Sequence, residues 1–151
     1  MKAKVESEKG FYFGDPCYVL SDDVYYGVWG NFYEFQDCSV KDPATGLHFA
    51  VHGTAYGDGG YRDQHGNCYG VDSGTLALIP LELVEKKRGI DNGVVVLGGG
   101  VACMEEHDGV FNVYYPSGWA ATVNTSDEAD YGDEDDEMGY DPYLGCTTWE
   151  V

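Results

Sequence analysis

Short aromatic and β-branched runs, separated by turn-forming residues, are the feature that most constrains the fold of this chain. In "GFYFGDPCYVL" (10–20) two such runs flank the turn Gly14-Asp15-Pro16. In "DCSVKDPATGLHFAVHGTAYG" (37–57) the turn sequence "DPATG" separates them, and in "GYRDQHGNCYGVDSG" (60–74) the turn sequence "DQHGN" does so. Asp, Pro and Gly favour tight turns at such positions, and apolar runs bounded by them are typical of strands. The pattern predicts a mainly β (α+β) fold, an antiparallel sandwich or barrel-like sheet with one short helix.

The segment "TLALIPLELVEKKRG" (75–89) is the best candidate for that helix. Pro80 suits a first helical position. The cationic residues 86–88 would favour the negative end of the helix dipole, and Gly89 would cap it. We therefore expect a two-turn helix over residues 81–88. The aromatic-rich "DVYYGVWGNFYEF" (23–35) is compatible with either a short helix or a strand.

A chain of 151 residues, 43% of them hydrophobic, is expected to form a single domain (1–151), with an acidic surface loop at about 125–141. No apolar run reaches the length of about 18 residues that a membrane span needs, and "MKAKVESEKG" at the N-terminus contains no apolar signal segment. The five cysteines include no CxxC pair, so we expect no zinc ribbon. These features predict a protein of the host cytoplasm with no bound metal and no cofactor.

The charge of the chain is large and unevenly distributed. There are 27 acids against 8 bases, a net charge of −19, and residues 89–151 contain 14 acids and no Lys or Arg. A field of one sign repels nucleic acid and anionic membranes and attracts basic protein surfaces. The sequence therefore predicts a basic protein partner and neither direct nucleic-acid binding nor membrane binding.

The segment "DEADYGDEDDEMGYD" (127–141), in which nine of fifteen residues are Asp or Glu, concentrates this charge. Carboxylates interspersed with aromatic rings imitate the phosphates and stacked bases that basic grooves bind. The alternative is a solvated loop that only aids solubility. Apolar residues in "PYLGCTTWEV" (142–151) predict a loop tethered at both ends. The candidate partner-binding residues are Asp127, Glu128, Asp130, Tyr131, Asp133, Glu134, Asp135, Asp136, Glu137 and Tyr140.

Aspartates outside this segment offer a different chemistry. "YGVDSGT" (69–75) matches the local signature of aspartic proteases, but a single copy would need a homodimer to complete the catalytic pair. We interpret Asp72 as a turn residue that bonds backbone amides. Asp15 and Asp72 could also pair in a site, with buried turn capping as the simpler alternative. No catalytic residue is predicted.

Two motifs, "GDPCYVL" (14–20) and "YGVDSG" (69–74), resemble a group of small uncharacterised bacterial and phage proteins. These proteins share a GDP-x-Y turn near the N-terminus and a YGVD-[SA]-G strand in the middle. The resemblance covers about residues 10–84. It implies a compact β-rich domain of phage or prophage source, and it implies no activity. The acidic loop at about 125–141 lies outside it and would be an addition with its own function.

Together these features favour an acidic, non-enzymatic binding protein. We expect a phage-type inhibitor that mimics nucleic acid and occludes the basic groove of a host nucleic-acid-handling protein, such as a CRISPR effector or a restriction enzyme. The alternative is a metal-dependent hydrolase or a calcium-binding domain that uses Asp15, Asp58 and Asp72, since hard cations prefer oxygen ligands.

Overall fold

The computed structural model describes residues 1–126, apart from the side chains of residues 87–89. Strands dominate this part of the chain. They are β1 (Lys2–Ser7), β2 (Gly10–Gly14), β3 (Cys38–Lys41), β4 (His48–Gly53), β5 (Gly59–Arg62), β6 (Cys68–Val71), β7 (Thr75–Pro80), β8 (Val94–Leu97), β9 (Gly100–His107), β10 (Val110–Tyr114) and β11 (Ala120–Asn124). The helical elements are α1 (Asp22–Val24), a π-helix (Tyr25–Gly30), α2 (Asn31–Tyr33) and 3-10 turns at Pro16–Tyr18, Leu81–Leu83 and Lys87–Asn92.

The strands form two larger sheets and a hairpin, and every pairing is antiparallel. One sheet has four strands in the order β1-β9-β10-β11, the other has five in the order β3-β4-β7-β2-β8, and β5 pairs with β6. Within the described residues neither larger sheet closes into a barrel. The predicted mainly β, antiparallel fold is confirmed, in its sandwich-like form.

The five-stranded sheet is buried on both faces. On β2, Phe11 and Phe13 join the core that faces the four-stranded sheet, whereas Tyr12 joins the core on the opposite face. Leu78 and Ile79 of β7 divide in the same way, and all five side chains are fully buried. Each buried aromatic or branched side chain contributes about 1.5–3 kcal/mol. The central strands are therefore continuous apolar runs rather than alternating ones.

The helical segment 22–33 covers the second face of this sheet. Ser21 caps it, because its Oγ accepts a hydrogen bond from Val24 N at 3.2 Å. Val28 and Trp29 project into the core and pack in one cluster with residues such as Phe49 of β4. Sequence alone allowed a helix or a strand here. The structure has a helix, which buries Val28 and Trp29 against the sheet and leaves Tyr26 and Phe32 exposed.

The predicted helix over residues 81–88 is wrong. Two 3-10 turns, Leu81–Leu83 and Lys87–Asn92, occupy this region. Between them Val84 is extended and 8% exposed. The Glu85 and Lys86 amides donate to Val19 O at 2.7 and 3.0 Å instead of to helical carbonyls. Burial of Val84 and the bonds to Val19 thus outweigh local helix propensity.

Two of the predicted turns are held by buried aspartates. In "DPATG" Asp42 is 4% exposed, and its carboxylate accepts from Thr45 Oγ1 at 2.8 Å. In "DQHGN" Asp63 is 7% exposed and accepts from His65 N at 2.8 Å and from Tyr69 Oη at 2.6 Å. A buried carboxylate is costly unless it is hydrogen-bonded. These acids therefore belong to the fold and not to the charged surface.

Candidate functional site

The ten residues predicted to bind a partner lie outside the described residues, so the structure does not place them. The other aspartates singled out from the sequence lie within it. The structure brings Asp15 and Asp72 together, at the junction of β2, the 3-10 turn Pro16–Tyr18 and the loop between β6 and β7.

Asp15 begins the 3-10 turn Pro16–Tyr18. Its backbone is extended, Pro16 follows at the first position of the turn, and its Oδ1 accepts from Cys17 N at 2.9 Å. A carboxylate before a proline is the usual way to begin such a turn, since it bonds an amide that has no partner within the turn. The side chain is fully buried.

The same carboxylate holds the loop 72–74, which lies far away in sequence. Asp15 Oδ2 accepts from Asp72 N at 2.6 Å and from Ser73 N at 2.7 Å, and Oδ1 accepts from Ser73 Oγ at 2.8 Å. Since the Ser73 hydroxyl hydrogen is used in that bond, Thr75 Oγ1, 2.6 Å away, donates to Ser73 Oγ. Buried turn capping, the simpler of the two alternatives for Asp15, is what the geometry shows.

Asp72 itself is exposed and makes a different contact from the one predicted for it. Its Oδ2 accepts from Tyr18 Oη at 2.7 Å. The backbone amides of its turn are bonded by Asp15 instead. Beside this pair lies a cleft of about 360 Å³. It is lined by Tyr18, Asp58, Gly59, Gly70, Val71, Asp72 and Asn92.

The thiol next to Asp15 is a poor nucleophile. Burial, and then the charge and hydrogen bond of Asp15, raise the pKa of Cys17 far above its ordinary value. Burial, followed by the hydrogen bond to Asp72, likewise raises the pKa of Tyr18. Both groups therefore stay protonated at neutral pH, so that Tyr18 remains a hydrogen-bond donor and Cys17 does not become a thiolate.

The hydrogen bonds that the carboxylates near this cleft already accept limit which of them can take part in chemistry. Both oxygens of Asp15 already accept hydrogen bonds, so it is not free to act as a base or a ligand. Asp58 and Asp72 remain exposed at the cleft. Among the described residues no three His, Cys, Asp or Glu side chains are placed to share a metal ion.

Thr125, two residues before the acidic segment, is anchored. Thr125 N donates to Gly109 O at 2.8 Å, and its Oγ1 accepts from Ala55 N at 3.0 Å. Tyr56 N donates to Thr125 O at 2.9 Å. The described chain ends one residue later, at Ser126. The segment 127–141 thus starts, in the sequence, two residues after a position fixed to two loops.

A larger cleft, of about 690 Å³, lies where β1, the Leu81–Leu83 turn and β9 meet. Glu82 closes one side of it by accepting from Ser7 Oγ at 2.6 Å and from Glu8 N at 2.9 Å. Partial burial opposes the charged form of this carboxylate, but the two hydrogen bonds outweigh burial and lower the pKa of Glu82. The ionised carboxylate therefore joins the β1–β2 turn to the loop that follows β7.

This contact gives the protein a small acid-dependent component of stability. Because the pKa of Glu82 is lowered on folding, its contribution is fully present above its ordinary value of 4.5 and is lost as the pH falls through the folded value. We expect Glu82→Gln to lower the free energy of unfolding at neutral pH by under about 1 kcal/mol. Urea unfolding at neutral pH and at about pH 3 should show that acidification lowers the free energy of unfolding less in the variant than in the wild-type protein. Glu85→Gln, an exposed control, should leave the pH profile unchanged, and a profile unaltered in Glu82→Gln would refute this role.

Comparison with known proteins finds no relative: no family model, curated protein sequence or solved structure matches the chain. Among the described residues no helix is long and apolar enough to cross a membrane. The thiols of Cys17, Cys38 and Cys103 are free.

Sequence reasoning missed two features of the described surface. It did not identify Tyr18 and Ser73 as partners of Asp72 and Asp15, although Tyr18 lies in the quoted GDP-x-Y motif. It also gave no role to the exposed aromatic residues of segment 22–35. The sequence does contain an indication of these exposed rings. The segment has many aromatic residues close together around Gly27 and Gly30, and one face of a helix cannot bury all of them.

Proposed function

We propose that the protein is a non-enzymatic binding protein that recognises a basic protein surface, of the kind that holds nucleic acid. The observation that carries the proposal is the charge: residues 89–151 contain 14 acids and no Lys or Arg. A surface of this sign accelerates encounter with a basic partner and lowers the affinity for nucleic acid itself.

The acidic residues of the described part of the chain fall into two groups, buried acids that hold turns and exposed acids. Asp15, Asp42 and Asp63 are buried and hold turns. Among the described side chains, lysine ion pairs involve only Glu105, with Lys2, and Asp22, with Lys86. Most exposed acids therefore have no basic partner within this part of the chain and remain available to a cation from outside.

The mechanism that follows is occlusion. The acidic segment 127–141 follows Ser126 in the sequence, and Thr125, the residue before Ser126, is anchored. An acidic segment attached at a fixed point fills a positive groove with less loss of freedom than a free chain. We propose that Asp127 to Glu137, with Tyr131 and Tyr140, take the place of a nucleic acid in the groove of a host protein. A phage-type inhibitor of a defence nuclease would act in this way.

The proposal is tested by capture from a bacterial lysate on the immobilised protein, at about 50 mM and about 500 mM salt. We expect a nucleic-acid-binding protein to bind at low salt and to elute at high salt, because exposed charges are screened. Added duplex DNA should displace it, since both would occupy one groove. A captured protein that resists both salt and DNA would contradict the mimicry.

The alternative, a metal-dependent hydrolase or calcium-binding domain predicted at Asp15, Asp58 and Asp72, would have to use Asp58 and Asp72 at the cleft, and it has a separate test. Calcium is added during thermal unfolding of the full chain. A rise of several degrees in the melting temperature at micromolar calcium would favour a metal site, by mass action on the folded state. Deleting residues 127–137 tests the remaining possibility, that the acidic segment is a solvated loop that only aids solubility, for which the deletion should change nothing but solubility.

A further inference from the structure

Three large aromatic side chains are exposed on one short stretch of the chain. Tyr26 is 61% exposed, Phe32 68% and Phe35 46%. They lie on the helical segment 22–33 and in the turn that follows it, and the rings of Tyr26 and Phe35 are 6.1 Å apart. Single exposed apolar residues are common on protein surfaces, but grouped aromatic rings mark interaction sites. Tyr26 and Phe35 are in ring contact, and Phe32 is exposed three residues before Phe35 on the same segment. We call these three residues the aromatic surface.

The aromatic surface is held rigidly from below. The Phe35 ring packs on Tyr25 and Trp29 at centroid distances of 5.6 and 5.1 Å. Gly30 makes this possible, because a Cβ there would lie 2.5 Å from the Phe35 ring. Trp29 Nε1 donates to Gln36 O at 2.9 Å and ties the turn to the helix. A surface fixed in this way loses little conformational freedom when it binds.

The backbone that presents Phe35 is strained. Glu34 and Phe35 both have left-handed backbone angles, with φ of 55° and 56°. Residues other than glycine rarely adopt this conformation, and two in succession are costly. Strain of this kind persists where the surrounding structure enforces it, and it is common at binding sites. Here it leaves the Phe35 ring at the surface, against Tyr26.

The segment that carries the aromatic surface contributes only negatively charged side chains. Residues 22–37 contain four acids and no Lys or Arg. Asp22 is paired with Lys86, and Asp37 lies 3.5 Å from His52. Asp23 and Glu34 are exposed, and neither makes an ion pair within the described residues. The complementary ligand is therefore a cation that also packs on aromatic rings.

Arginine fits this description better than lysine. Its planar guanidinium stacks on aromatic faces and at the same time bonds carboxylates, whereas the lysine ammonium is more strongly hydrated. We propose that Tyr26, Phe32 and Phe35 form a binding surface for an arginine-bearing segment of a partner protein, with Asp23 and Glu34 as the counter-charges. This inference does not use residues 127–141 and goes beyond the occlusion of a groove by the acidic segment.

The test uses the full chain and two peptides of equal length, oligoarginine and oligolysine, with affinities measured by calorimetry. The carboxylates and tyrosines of the acidic segment also favour arginine, so the share of the preference that belongs to the aromatic surface is the share that a variant of this surface removes. We expect oligoarginine to bind about tenfold more tightly than oligolysine. The double variant Tyr26→Ala with Phe32→Ala should lower that preference to about twofold and leave oligolysine binding unchanged. Both positions are exposed, so the variant should melt at the wild-type temperature.

The control is Tyr114→Ala on β10, which removes a ring that is 47% exposed on the four-stranded sheet. It should keep the arginine preference. The proposal is overturned if the double variant keeps that preference undiminished, or if the wild-type protein has none. Self-association that the double variant abolishes would instead assign the surface to a second copy of the chain. Neither outcome affects the acidic-segment proposal, which is tested separately by the salt dependence of capture and by substitutions within residues 127–141.

Discussion

Replacing Asp15 by Ala is expected to lower the free energy of unfolding by about 3–5 kcal/mol. The fully buried carboxylate accepts four hydrogen bonds, from Cys17 N, Asp72 N, Ser73 N and Ser73 Oγ. Each buried donor left without a partner costs about 1–3 kcal/mol, and water entering at the cleft restores part of this. Urea unfolding followed by circular dichroism measures the difference directly.

A matched control for this substitution is Asp72→Ala, since Asp72 lies at the same junction but is exposed. Its carboxylate accepts one described hydrogen bond, from Tyr18 Oη, so its loss should cost at most about 1 kcal/mol. If the two variants unfold at the same urea concentration, Asp15 is not the residue that holds the loop. The free energy of unfolding of Asp15→Asn should lie between those of the two alanine variants, because one amide oxygen can accept only some of the hydrogen bonds that the carboxylate accepts.

Local sequence chemistry predicted the turns and most of the strands. "DPATG" and "DQHGN" form turns because Asp42 and Asp63 bond backbone amides within a few residues, which is a local interaction visible in the sequence. The apolar run around Tyr12 is a strand, as its composition predicted, but the second apolar run of "GFYFGDPCYVL" is not, because the 3-10 turn Pro16–Tyr18 occupies its start. The burial of β2 on both faces depends on the helical segment and on the second sheet, and no local pattern encodes which layer covers which face.

Tertiary contacts decided the features that sequence reasoning missed. Residues 81–88 have the composition of a short helix, but Val84 is drawn into the core and the two following amides bond Val19 O. The order β3-β4-β7-β2-β8 places strands distant in sequence side by side. The bond between Asp15 and Ser73 spans 58 residues, and only the folded sheet brings them together. Interactions of this range carry no signature in a single sequence.

The composition of residues 127–141 identifies the acidic segment. The proposal that this segment binds a basic groove is based on its charge. We expect the triple variant Asp133→Lys, Asp135→Lys and Asp136→Lys to weaken binding to the captured basic partner by about 100-fold. Three acids that attract the groove would become cations that it repels. Surface plasmon resonance at about 100 mM salt, where exposed charges still interact over about 10 Å, measures the change.

The control for this triple variant must change the net charge of the protein by the same amount, at positions outside the acidic segment. Glu8→Lys, Glu85→Lys and Asp91→Lys, all at exposed positions in the described body, meet this condition. If the acidic segment enters the groove, the control should lose less than about tenfold, because distant charges contribute only long-range attraction. Equal losses in both triple variants would mean that net charge alone drives association. Unchanged binding in the acidic-segment variant, with an unchanged melting temperature, would refute nucleic-acid mimicry by residues 127–141.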